Sequence, residues 1–439
     1  MKSKVGWIDL SSNDLKKVRS LMDAISGGVV DELGIGTIRD KYSNLLFTGI
    51  STLYTRAKYY FITPYILLEK DCKQHAGETG IQYFQRCEIN TNKIIKKYYT
   101  QHPQYNESYF GKDTASGELK RQPSEVYWNG IVHLELVKDA SSLYQLLRTK
   151  KSQVADLLSA SSDNEITKEP GVSCQQDNIT IPPSTDWLKE IEQNGLRLTR
   201  TEAELLSSRI PQKAPHSLIS ALLQNEGLWN DYYKAIEHKE FTEDPRIPSL
   251  TNPFVSFVEG SINKITNPEL RTNLVEAHDL AIFLHGLHIA YNIALWESFG
   301  DDGFINLLQE SGRQWRNKLD TNLLCKTLLK EDFNISKCIE SSRPKDFTKD
   351  FLRKAYRLVF YNQSWGDFEK ELKEICIGQE RKNKNVKSRF YKIEHKQIIT
   401  DMDTNRSCWM GLPLIAYRYH AARSIVSDIY DGLDNVSQK

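Results

Sequence analysis

Apolar residues along this chain recur mostly at three- and four-residue steps, the period of one helix face. "SNDLKKVRSLMDAI" sets Leu15, Val18, Leu21, Met22 and Ile25 in such a stripe, behind Ser12 or Asn13 as a helix-starting cap. "LISALLQNEGLWNDYYKAI" and "FLRKAYRLVFYNQSW" repeat the period, whereas runs alternating every second residue are few and short. The pattern predicts a mainly α, multi-helical protein. The stripe dissolves over 152–185, "SQVADLLSASSDNEITKEPGVSCQQDNITIPPST", where Ser, Asp, Asn and Gln dilute the apolar positions until Pro182-Pro183 closes the stretch. Two helical regions are expected, 1–151 and 186–439, with 152–185 as the linker.

Composition alters this picture only locally. A formal net charge of +1 over 439 residues supplies no global field to draw in nucleic acid or a membrane. Residues 1–151 hold 22 Lys and Arg against 16 Asp and Glu, so any polyanion is expected on the N-terminal region first. No apolar leader pattern opens the chain and no run approaches a membrane span, which points to a cytoplasmic protein without a membrane partner. Seven cysteines without a CxxC pair read as reduced thiols, neither a disulfide framework nor a zinc site.

Chemistry-bearing residues are densest in 30–66, "VDELGIGTIRDKYSNLLFTGISTLYTRAKYYFITPYI". Asp31 and Glu32 precede a GxG ahead of a helix expected near Ile38. Two glycines and a helix N-terminus suit a phosphate, but the third glycine of a dinucleotide loop and a leading strand are missing. Carboxylates at that place also offset the positive end of the helix dipole. A second helix is expected to be capped at Ser51 and kinked or ended by Pro64. Arg56 on it either clamps Asp31, Glu32 or Asp40 or faces a phosphate, and the clamp is favoured because the acids are near in sequence.

Several blocks, in order, resemble an uncharacterised bacterial family known as domain of unknown function 6361. They are "GWIDLS", "VDELGIGTIRD", "LFTGISTLYTRAKYYFITPYI", "QPSEVYWNGI", "LRLTRTEAELLSSRI", "AHDLAIFLHGLHIAYNIAL" and "CWMGLPLIAYRYHAARSIVSDIYDGL". Thr48 and Tyr65 stand where family members often carry Pro and Trp. The resemblance brings no catalytic residues. It implies a cytoplasmic protein of phage-defence neighbourhoods, beside helicases and phospholipase-D-like nucleases.

Two stretches suit a polyanion. In 93–130, Lys93, Lys96, Lys97, Lys112, Lys120 and Arg121 interleave with Tyr98, Tyr99, Tyr105, Tyr109 and Phe110, a mixture of phosphate and base contacts. "QPSEVYWNGIVHLELV", with Tyr127 and Trp128, resembles the second helix of a helix-turn-helix, whose N-terminal residues would face a groove. The bland alternative is a solvated basic loop beside an amphipathic helix. In 381–396, Arg381, Lys382, Lys384, Lys387, Arg389, Lys392 and Lys396 form a charge run, either a solvated turn or a phosphate-gripping loop with Phe390 and Tyr391 for stacking.

"EAHDLAIFLHGLHIAYN" places His285 and His288 on one face with His278 two turns earlier, as a transition metal would need. HxxH without the glutamate of HExxH, among Ala277, Ala281, Gly286 and Ala290, reads better as core histidines, with Asn292 tying the helix to a neighbour. On the last helix, Arg423 and Asp428 are five apart and make a poor internal pair. No metal or cofactor is expected. The favoured expectation is a non-catalytic accessory subunit binding DNA and a helicase or nuclease partner in antiphage defence. The alternatives are a metal-dependent nuclease or nucleic-acid-modifying enzyme using Asp31, Glu32, Asp40 and Arg56 or the histidine helix, and a pure protein scaffold.

Overall fold

A computed structural model describes residues 31–105, 108–112, 119, 121–138, 142–148, 178–237, 244, 246–321, 341–362, 364–399 and 407–434. The helix expected over 12–25, most of the 152–185 linker and Lys120 lie outside these residues. What is described is mainly α. Val137 pairs with Ile179 in an isolated antiparallel bridge.

In chain order the helices are α1 (Gly36–Leu46), α2 (Tyr59–Lys73), α3 (Gly80–Gln101), α4 (Pro123–His133), α5 (Leu143–Arg148) and α6 (Trp187–Asn194). Then come α7 (Arg200–Lys213), α8 (Leu218–Gln224), α9 (Glu226–Lys234), α10 (Pro253–Ser261) and α11 (Pro268–Glu297). The last are α12 (Asp302–Thr321), α13 (Asp346–Tyr361), α14 (Trp365–Lys384), α15 (Arg389–Glu394) and α16 (Tyr419–Asp434). Two compact units are formed, each drawing chain from both sides of residues 152–185. One takes the chain up to Tyr42, Ala235–Ile262 and Thr272–Ala416; the other takes Ser43–Lys234, Asn263–Arg271 and the chain from Tyr417.

In the first unit α11 is the axis. Its residues from Ala277 to Trp296 are buried on every face, which explains why this helix carries no polar stripe. Gly286 is required there. A Cβ at that position would stand 1.9 Å from Trp315 Cε2, and the indole donates to Ile282 O at 2.8 Å. Trp315 packs edge-to-face on Trp365, which opens α14.

In the second unit the apolar stripe of α3 (Tyr83, Phe84, Ile95, Tyr98 and Tyr99) is buried, and α7 and α16 pack together. Two expected elements come out differently. The helix expected from Ser51 begins instead at Tyr59, because residues ahead of it give their backbone donors to distant side chains. Thr55 N and Arg56 N donate to Tyr127 Oη, and Ala57 N to Asp428 Oδ2. The helix then runs through Pro64 to Lys73 without ending. "LISALLQNEGLWNDYYKAI" is two helices rather than one. Asn225 ends α8 in extended backbone, and its side chain then accepts from Leu228 N to start α9.

Candidate functional site

The first unit contains a buried polar network built from segments far apart in sequence. Glu380 lies on the apolar stripe of α14, 1 % exposed, and gathers the chain that follows that helix. It accepts from Ser388 Oγ at 2.6 Å, from Arg389 N at 3.1 Å, from Phe390 N at 3.3 Å and from Tyr291 Oη at 3.1 Å. Arg389, also buried, turns inward and donates to Glu32 Oε1 at 2.7 Å and to Tyr291 Oη at 3.1 Å. Burial raises the Glu32 pKa, against the lowering pull of Arg389. Gln379 and Asn383, from the same face of α14, donate to the Leu33 and Asp31 carbonyls.

This network folds 381–396 into an elbow. Asn385 turns the chain at φ +50, Ser388 caps α15 by accepting from Tyr391 N, and Lys396 leaves it at φ +53. With Glu380 and Arg389 drawn into the interior, the outside is strongly basic. Arg381, Lys382 and Lys387 are exposed, as is Lys396, while Lys384 and Lys392 are half-buried. Arg381 pairs with Glu394 at 2.8 Å. Lys382, Lys384, Lys387, Lys392 and Lys396 form no ion pair with a described residue, and Val386 stands among them 64 % exposed.

Beside the network, residues 407–416 lie on α11 as a strap. Asn292 holds it from both sides, donating to Met410 O at 2.9 Å and accepting from Met410 N at 2.7 Å. Trp296 donates to Cys408 O and Asn252 to Leu414 O. The expectation that Asn292 ties α11 to a neighbour is met by this strap. The Trp409 ring stacks on His285 at 5.2 Å, and burial pushes that imidazole down to about 3, so it is neutral. His288 bonds to Leu284 O through Nδ1, and His278 bonds to Asp279 and Glu259.

The acids and Arg56 expected to form one clamp take separate partners. Asp31 accepts from Ile35 N and Gly36 N at 2.8 and 2.9 Å, capping α1, so the dipole-offset reading fits and the phosphate-loop reading does not. Glu32 pairs with Arg389, and Asp40 pairs at the surface with its neighbour Arg39. Arg56, in the second unit, forms a buried pair with Asp428 at 2.9 Å. Among the described residues no three His, Cys, Asp or Glu side chains gather as a metal would require. The second unit repeats the device with Lys58, whose ammonium sits 2.8 Å from both Glu202 oxygens and is 1 % exposed.

The aromatic half of the expected interface is corrected. Tyr127 is fully buried, stacked 3.9 Å from Tyr54, with its hydroxyl on the backbone of Thr55 and Arg56, so it has no face left for a base. Tyr98 and Tyr99 are buried, and Phe390 packs edge-on against Tyr291. Arg389 is likewise spent on Glu32 and leaves the set of phosphate contacts. The helix-turn-helix reading of α4 is corrected too. Pro123 and Ser124 at its start are buried, and Ser124 N donates at 2.9 Å to Glu88 Oε1 of α3. Pro123, Ser124 and Tyr127 therefore face the core, and of the first turn only Glu125, an acid, is left exposed. What survives outside on the second unit is lysine. Lys93 and Lys97 are exposed on α3 without an ion pair to a described residue, with Lys96, Arg121 and Trp128 half-buried.

A mainly α protein whose buried acid–base pins fix a basic surface is the class these features define. The chain belongs to a family of unknown function, DUF6361, whose model matches residues 2–244. That match takes in Glu32, the TRAKYY block, α3, α4 and α7, and ends before the histidine helix and the strap. No curated protein and no solved structure matches the chain. No helix among the described residues is long and apolar enough to cross a membrane.

Proposed function

We propose that this protein is a non-catalytic nucleic-acid-binding subunit that grips the phosphate backbone, DNA in particular. It acts beside a helicase or phospholipase-D-like nuclease in a bacterial antiphage system. The observation that carries the reading is the basic elbow of 381–396: five lysines that form no ion pair with a described residue, held on a turn that buried Glu380 fixes from inside. Fixing the turn before binding removes part of the ordering cost that a free lysine loop would incur. Lys93, Lys96 and Lys97 on α3 give the second unit a basic surface of its own.

With Tyr98, Tyr99, Tyr127 and Phe390 buried, and Tyr391 and Trp128 half-buried, contacts are mainly to phosphates and carry little sequence information. Affinity then falls steeply with salt, by a log–log slope of about −0.9 per duplex phosphate neutralised. The test is fluorescence-anisotropy titration of a short labelled duplex across a salt series. Lys382→Ala, Lys384→Ala and Lys387→Ala together should flatten the slope by about 2 to 3. Absence of binding at low salt removes the reading. The partner is sought by co-expression pull-down with and without nuclease treatment.

A further inference from the structure

The hairpin of α13 and α14 carries a groove that the basic elbow does not use. It has a volume of about 660 Å³ and opens to solvent. Leu358, Asn362 and Ile375, all half-buried, line it. One wall carries Lys354 and Arg357 of α13, and the other carries Glu371 and Glu374 of α14. All four charges are exposed, and none pairs with a described residue. Tyr361 stands on the same groove 76 % exposed, although it ends a helix whose other large apolar residues are covered.

We propose that this groove is a homodimer interface whose occupant is the same hairpin of a second copy of the chain. The argument is charge complementarity. A partner must set an acidic strip against Lys354 and Arg357 and a basic strip against Glu371 and Glu374. The groove itself presents these two strips side by side. Rotating a second copy by a twofold axis through the groove lays each basic strip on the partner's acidic one, in two equivalent contacts. Tyr361 of each copy then enters the groove of the other beside Leu358 and Ile375, the kind of buried tyrosine that dominates interface energetics. The contact is rich in exposed charge, so it weakens as salt rises.

Sedimentation equilibrium of the full chain over a concentration series tests this. Two charge reversals are compared, Lys354→Glu with Arg357→Glu, and Glu371→Lys with Glu374→Lys. The wild type should self-associate as a dimer. Each reversed protein alone should be monomeric, and an equimolar mixture of the two should recover the dimer, because every facing strip is again opposite in sign. Tyr361→Ala should weaken the wild-type dimer about tenfold or more. A wild type that stays monomeric at every concentration overturns the proposal, and so does a dimer indifferent to both reversals or a mixture that fails to associate. Circular dichroism of each variant confirms folding, and since none touches 381–396 the duplex titration gives an independent answer.

Discussion

Glu32 and Arg389 lie 357 positions apart in the chain and meet in the interior, with 2.7 Å between Oε1 and Nη1. Both side chains are almost wholly out of solvent, at 0 and 4 % exposure. Removing one partner of such a pair leaves the other charge buried, at a cost of about 3 to 5 kcal/mol. Glu32→Ala is therefore expected to destabilise the protein by about 3 kcal/mol or more in urea unfolding. A loss under about 0.5 kcal/mol, the range of ordinary surface substitutions, would show that the pair does not hold the elbow.

Glu88 makes stability depend on pH. Burial pushes its carboxyl up to about 7, and the hydrogen bonds from Ser124 only partly offset this. An acid whose folded pKa lies above its unfolded value favours its protonated form in the folded state. Its contribution is most favourable below about pH 4.5, declines from there to about pH 7, and is flat above. Glu88→Gln keeps an acceptor for Ser124 N without the charge. Stability of the variant relative to wild type should rise between pH 4.5 and 7, reaching on the order of 3 kcal/mol at pH 8. Parallel stability profiles for the two proteins would reject the assignment.

The same residues explain what the sequence disclosed and what it hid. The helical period was legible because most stripes, such as Tyr83, Phe84, Ile95 and Tyr98 on α3, are local and continuous. The pins were not legible, because a buried pair such as Arg56 with Asp428 or Glu32 with Arg389 joins residues that no local pattern connects. Nearness in sequence chose Asp31, Glu32 or Asp40 for Arg56, whereas the fold brought Asp428. A signal was nonetheless present: Glu88 and Glu380 interrupt apolar stripes at core-facing positions, as does Asp428 among Ile425, Val426 and Ile429. A charge on a buried face requires a partner. Tyrosines were read as stacking surfaces because composition says nothing about which face of a ring is free.

Tyr127→Phe tests the correction at α4. The hydroxyl accepts from Thr55 N at 2.9 Å and Arg56 N at 3.2 Å and donates to Arg56 O at 2.9 Å. Its loss leaves buried backbone donors unmatched, which should cost about 1 to 3 kcal/mol in chemical denaturation. Duplex affinity, measured where the variant is folded, should be unchanged. A drop in affinity with stability intact would restore Tyr127 to the binding surface.

The strap over α11 depends on Gly411. Its φ of +90 is a conformation that side-chain-bearing residues rarely adopt, and a Cβ there would lie 2.8 Å from His288 Cδ2 and 3.1 Å from Glu32 Oε2. Neither neighbour can retreat: His288 is fixed to Leu284 O, and Glu32 to Arg389. Gly411→Ala combines backbone strain with a clash against buried groups and should cost about 1 to 3 kcal/mol. It should also alter the near-ultraviolet dichroism, since Trp409 stacks on His285. Gly366→Ala is the control. It sits in the first turn of α14 with nothing within 4 Å of an added Cβ, and alanine's higher helix propensity should leave stability equal or raise it by up to about 1 kcal/mol. Thermal unfolding of the pair separates the two effects. If Gly411→Ala is as stable as Gly366→Ala, the strap is not held in the conformation described.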